Sequence, residues 1–251
     1  MNLLQHVINI RKTIQRAFDG KLERLGIGSQ AFIDIENFSY DDKNLRKRLE
    51  NITINHIEEK KGNYQEAREY TLNQCVFTLF NRLVAIKLME NKEILPEVIR
   101  QRADYGGKSL SHLGWLEDHP EGRMMEREGL VEFFCYQFED LGKIIPLYKV
   151  DYPYAMMPTA DELNEIIRSI NAIDDDSETS DSWKSDDILG WLYENFNAIE
   201  KEAFKESGEK TEYHKVSLQS QFYTPGWVVK FLIDNTLGKQ YLEMFPDSTL
   251  A

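Results

Sequence analysis

The sequence predicts a mainly α-helical fold, a bundle, on three observations. Apolar residues recur at spacings of three and four through much of the first 205 residues, the period of one helix face. Helix start and stop signals bracket several of these runs, with Thr159 followed three residues later by Glu162 as a capping box. The period-two alternation that marks strands is nearly missing; only the stretch from Ile144 to Thr159 leaves room for one short strand.

Taken in order, residues 2–25 read as one helix. Leu3, Leu4, Val7, Ile10, Ile14, Ala17 and Phe18 share a face, while Arg11, Lys12, Arg16 and Lys21 lie mostly opposite, and Gly26 and Gly28 stop it. Residues 41–60 form a charged helix ending at Gly62. Residues 64–91 form the longest helix, with Tyr70, Cys75, Phe77, Leu79, Phe80, Leu83, Val84, Ile86, Leu88 and Met89 in its stripe. Apolar around more than half its circumference, it is expected at the centre of the bundle. Asn81 and Arg82 interrupt the stripe, and a buried arginine needs a partner, here expected to be a structural ion pair.

Residues 97–123 read as a loop with a short helical turn, 124–141 as a helix, and 144–159 as extended or irregular. A capped helix runs from Thr159 to Ile170. The acidic run INAIDDDSETSDSWKSDD is expected to be a solvated, mobile loop; it lacks the Gly and terminal Glu of a calcium loop. Residues 185–205 resume as a helix, 206–220 form a polar hinge, and a last helix begins at Pro225. The expected organisation is a helical domain over 1–205, the hinge, and the start of another domain over 221–251.

Composition narrows the function classes. With 41% hydrophobic and 12% aromatic residues the chain can bury a core. No stretch approaches the roughly 20 apolar residues that span a bilayer, so no membrane partner and a cytoplasmic location are expected. Cys75 and Cys135 stand far apart in apolar surroundings and read as buried reduced thiols. The five histidines are scattered, so no metal site is expected. A net charge of −13 argues against the whole chain being a nucleic-acid-binding module.

The informative string is Gln221-Phe222-Tyr223-Thr224-Pro225. Thr224 suits an N-cap and Pro225 the first helical position, and a helix start can hold an anionic group. This string resembles the first motif of the methyltransferases that modify adenine N6, where it precedes a Rossmann-like domain and helps hold the methionine end of S-adenosylmethionine. Trp227 to Leu242 and Ile188 to Tyr193 resemble stretches of the large PglX-type methyltransferases of BREX phage-defence systems. Phe77 to Pro96 and Asp151 to Pro158 do so too. Related single-chain restriction–modification enzymes share that architecture.

The resemblance implies a helical N-terminal region followed by the first helix of a truncated Rossmann-like domain. It implies S-adenosylmethionine as cofactor, held in part by Gln221, Phe222, Tyr223, Thr224 and Pro225. It implies double-stranded DNA as partner and other defence-system proteins beside it. The family's catalytic string, Asn/Asp-Pro-Pro-Tyr/Phe, is missing from these 251 residues, whose prolines never stand as a pair. The fragment is therefore expected to be inactive, with the apolar face of its last helix exposed. A helical protein-interaction module is the alternative from another class. A nuclease would need a Pro-Asp and Asp/Glu-x-Lys set, and the one Pro-Asp pair is Pro246-Asp247.

Overall fold

The computed structural model describes residues 1–34, 39–59, 62–185, 187–198 and 223–249. It divides into two compact units, Met1–Asp181 and Ser182–Ala251. The expected hinge and the boundary near residue 205 lie outside the described residues. The described part is mainly helical, as predicted, and contains no strand, only isolated bridges between Ile27 and Phe32 and between Arg102 and Lys108.

In the first unit α1 spans Leu3–Arg24, α2 Tyr40–Glu59, α3 Tyr64–Asn91, α4 Leu110–Asp118, α5 Leu130–Gly142 and α6 Ala160–Asp175. The main packing is α1 on α6 and on α3, and α2 on α3. The predicted central helix is thus central. Leu72, Cys75, Val76, Leu79, Phe80, Leu83, Val84 and Ile86 of α3 are buried. Each large apolar side chain so buried contributes about 1.5–3 kcal/mol before the entropy of ordering it is counted. From α1 the buried stripe is Val7, Ile10, Ile14, Ala17, Phe18 and Leu22, and from α6 Leu163, Ile166, Ile167, Ile170 and Ile173. Arg11, expected on the polar side of α1, is buried instead.

The caps follow local chemistry. Asn2 and Gln5 form a capping box at α1, and Thr159 and Glu162 form the predicted one at α6, which continues five residues beyond Ile170. Gly26 and Gly62 end α1 and α2 in left-handed conformation, at φ 72° and 86°, where glycine has no Cβ penalty. The region 97–123 holds more helix than expected. Ser109 accepts a hydrogen bond from the His112 N–H and starts α4, a nine-residue helix inside the stretch read as loop. α5 starts later than expected, at Leu130, because Arg127, Glu128 and Gly129 all take left-handed angles, φ 50°, 54° and 69°. No strand forms within 144–159; Pro146–Tyr148 is a single tight turn.

Aromatic rings fill the space between α4 and α5. His112 stacks on Phe133 at 4.8 Å, and Phe133, Phe134 and Phe138 follow edge to face, the last reaching Tyr148 at 5.6 Å. The His112 ring donates from Nε2 to the Glu128 carbonyl at 2.8 Å. Burial pulls its pKa below the usual 6.5, since a buried ring resists charging. The unfolded chain therefore binds the proton first as pH falls. The stability due to neutral His112 is complete above pH 6.5 and is lost as pH drops through the lower folded value. Urea midpoints should fall between pH 7.5 and 5, and fall less in His112→Gln; parallel decreases would clear His112 of the effect.

The second unit contains α7, Ile188–Phe196, then α8, Gly226–Ile233, a π-helical turn at Asp234–Gly238, and α9, Lys239–Met244. Trp227, Phe231, Leu232, Ile233, Leu237 and Met244 are all exposed, Trp227 at 74%. This exposed apolar face is the one expected of the last helix.

Candidate functional site

Two of the five motif residues, Gln221 and Phe222, lie outside the described residues. The other three, Tyr223, Thr224 and Pro225, form an exposed approach to α8. The helix begins one residue later than expected. Pro225 is the cap, at φ −55° and ψ 141°, no side chain caps the helix, and Gly226 is the first helical residue. The Pro225 carbonyl accepts from the N–H groups of Val228 and Val229, at 2.9 and 3.2 Å. Pro225 can end an extended entry because it has no N–H to satisfy and disfavours helical angles at the residue before it. The Thr224 hydroxyl is thereby left as part of the approach instead of the cap.

This approach meets α7. A Cβ built on Gly190 would stand 2.0 Å from ring atoms of Tyr223, so the ring lies directly against the helix backbone. A Cβ on Gly226 would stand 3.3 Å from an Asp187 carboxylate oxygen. The α8 start therefore already faces a carboxylate, which is favourable there because the N-terminal end of a helix carries partial positive charge. The element expected to receive an anion is thus paired with an acid of its own chain. Such a combination of carboxylate, exposed hydroxyls and free helix N–H groups suits a zwitterion better than a bare anion.

The first unit holds polar constellations of a different kind. Lys87 is fully buried and pairs with Glu90 at 3.0 Å and Asp174 at 2.7 Å. The other Glu90 oxygen accepts from the N–H groups of Val98, Ile99 and Arg100. Asp174 belongs to the acidic run expected to be solvated, as does Asp176, which receives the Met1 amino group at 2.5 Å and His6 at 3.2 Å. The run begins inside α6; Asp174 and Asp176 are drawn into the fold while Asp175 stays exposed, and Thr179 and Trp183 of the same run are buried, so it is not the solvated loop expected. Among the described residues Arg82 makes no ion pair, contrary to expectation. It donates to the Leu147 and Lys149 carbonyls, both at 2.8 Å, and lies over the Phe138 ring. Burial without a carboxylate lowers its pKa to about 10.

A cleft of about 410 Å³ runs between α2, α5 and residues 147–157, lined among others by Lys21, Arg48, Arg82, Cys135, Phe138 and Met156. Its three cations serve backbone carbonyls of that segment: Lys21 that of Met157 at 2.9 Å, Arg48 those of Val150 and Ala155, and Arg82 those already named. They clasp an irregular segment whose carbonyls have no strand or helix to bond. His56 joins Glu59 at 2.8 Å and Tyr154 at 3.0 Å. Burial raises the Tyr154 phenol, so this line ties α2 to the segment and offers no activated nucleophile. The cysteines are free. Cys75 is buried and Cys135 only half-buried, a departure from the expectation of two buried thiols. Burial pushes the thiols up to about 12 and about 11, away from thiolate chemistry. Among the described residues no three His, Cys, Asp or Glu gather as a metal site, and no helix is long and apolar enough to cross a membrane.

No known family model and no solved structure matches the chain. Two curated proteins do. Over 279 aligned positions, covering 96% of the chain, it is 25% identical to adenine-specific methyltransferase PglX of Lacticaseibacillus casei (strain Zhang). Over 211 positions, covering 74% of the chain, it is 25% identical to adenine-specific methyltransferase BrxX of Escherichia coli O9:H4 (strain HS). The chain is related to the PglX/BrxX-type methyltransferases. It spans 23% and 17% of the length of these two relatives. The PglX alignment takes in both units, so the likeness extends well beyond the five-residue motif.

The sequence offers Tyr223, Thr224 and Pro225 as candidates and does not single out Asp187 or Gly190, which the structure places beside them. For Gly190 the signal is present in Ile188 to Tyr193, where a glycine interrupts an apolar helix, a position that usually has a packing reason; Asp187 has no such signal.

Proposed function

We propose that this chain is the N-terminal part of a site-specific DNA adenine-N6 methyltransferase that uses S-adenosylmethionine, in phage defence or restriction–modification. The observation that carries the reading is the similarity to PglX over 96% of the chain. The exposed apolar residues of α8 and α9 support it, because a helix of that composition is made to be covered.

In this reading Tyr223, Thr224 and Pro225, with Gln221 and Phe222, form one wall of the cofactor pocket. The cofactor's methionine end carries an ammonium and a carboxylate. Asp187 would take the first, and the opening N–H groups of α8 the second. The cofactor would supply the methyl group, and the residues here would bind and orient it. Base extrusion and the contact to the adenine amino group fall to residues outside these 251, which hold no Asn/Asp-Pro-Pro-Tyr/Phe string. DNA contact would likewise come mainly from other parts of the polypeptide, given the charge of −13.

The test is calorimetry with S-adenosylmethionine on this chain and on a longer polypeptide that carries the methyltransferase region. Binding is expected only in the longer one. If neither binds, the methyltransferase reading fails, and a helical interaction module, favoured by the acidic charge and the exposed α8–α9 surface, becomes the better account.

A further inference from the structure

We infer that α7 is the seat of the motif tyrosine and that Gly190 is a positioning residue for cofactor binding, an inference that rests on the function proposed above. Gly190 is buried within α7 and has no left-handed backbone angle that would call for glycine. In such a place glycine is less favourable than alanine, because it has more backbone freedom to lose. On local grounds alanine would be the better residue. What excludes it is the Tyr223 ring, which three of its carbons bring to 2.0–2.3 Å of the would-be Cβ. Carbon atoms pack best at about 3.5–4.0 Å, and 2.0–2.3 Å is far inside that distance, so a side chain at 190 must displace Tyr223.

Tyr223 itself is 41% exposed. One face of its ring lies on α7 and the rest stays open, which suits a ring that is held in place to meet something else. One turn before Gly190, Asp187 borders Gly226. α7 therefore touches both ends of the stretch from Tyr223 to Gly226 and sets its course. The cofactor wall is accordingly a two-part structure. It begins at Asp187, far upstream of the motif, and takes in α7.

The test is Gly190→Ala with 3-fluorotyrosine labelling. The chain has 12 tyrosines, and Tyr223→Phe identifies the Tyr223 fluorine signal. In Gly190→Ala that signal should move towards the position of a solvated tyrosine, while helix content by circular dichroism holds or rises. In the longer polypeptide Gly190→Ala should weaken S-adenosylmethionine binding by roughly tenfold or more, the usual scale for a misplaced positioning group. In a Tyr223→Ala background the same change should cost nothing further, since its effect runs through the ring. An unmoved Tyr223 signal overturns the seat. A moved signal with unchanged cofactor affinity overturns the positioning role, as does an equal loss of affinity in the Tyr223→Ala background. If the unsubstituted longer polypeptide binds no cofactor, the functional reading falls and takes the positioning role with it, and the fluorine signal distinguishes that failure from a missing seat.

Discussion

Glu90→Ala is expected to destabilise the Met1–Asp181 unit by about 3–5 kcal/mol, the usual loss when one member of a buried ion pair is removed. Glu90 lies near the end of α3 with its side chain 4% exposed. One of its oxygens accepts three successive backbone N–H groups, from Val98, Ile99 and Arg100, at 2.9, 2.7 and 3.2 Å. The other meets the fully buried Lys87 ammonium. Alanine leaves those three N–H groups without their acceptor and takes one of the two carboxylates from Lys87, and each unsatisfied neutral donor alone costs about 1–3 kcal/mol when water cannot reach it. Asp174 remains to hold Lys87, and it also faces Arg100 at 3.6 Å, so one carboxylate is left between two cations. Urea denaturation followed by circular dichroism gives the value. A loss under about 1 kcal/mol would mean that water or a shift of residues 98–100 supplies the missing acceptor, and that the cluster matters little to stability.

Gly129→Ala should cost about 2–4 kcal/mol, through two separable causes. Its φ of +69° is one that alanine adopts only with strain. Its new methyl would also stand 2.9 Å from two Trp115 ring carbons and 3.2 Å from the Gly122 Cα. Gly122 approaches the same ring still more closely, at 2.6 Å for a built Cβ, but without a left-handed backbone. Gly122→Ala therefore measures the steric cost alone. Placing Gly129→Ala in a Trp115→Leu background should recover the steric part and leave the backbone part. Equal losses in both backgrounds would show that the ring is not what the glycine accommodates. The preceding left-handed residues persist because neighbours hold them: the Glu128 carbonyl accepts from His112, its carboxylate pairs with Lys108, and Arg127 pairs with Asp161 at 2.6 Å.

Gly129→Ala probes a feature that local pattern shows only in part. The glycine, histidine and charge around α4 predict a loop with a short helical turn, and the structure has a nine-residue helix there. Its only local start signal is Ser109, and the helix is fixed in place by Trp115 packing against two glycines that come later in the chain. The late start of α5 has the same origin, since nothing in Glu126-Arg127-Glu128 announces left-handed angles. At the candidate site the motif itself was legible, and so was the exposed apolar helix after it. The shift of the helix start from Pro225 to Gly226 was not, nor was the part played by Asp187 and Gly190.

The sequence by itself determined the mainly helical class, the central place of α3, the capping box at Thr159 and the glycine stops at Gly26 and Gly62. It also carried the likeness to the adenine-specific methyltransferases. Each helical feature rests on interactions within about one helical turn, where spacing in the chain is spacing in space. Only the tertiary structure decided that Arg82 bonds carbonyls 65 and 67 residues away, that Asp174 faces Lys87, and that Tyr223 rests on Gly190. Those partners are joined by chain closure over long distances, and a sequence lists the groups that must be satisfied without saying which of many distant groups the fold brings to them.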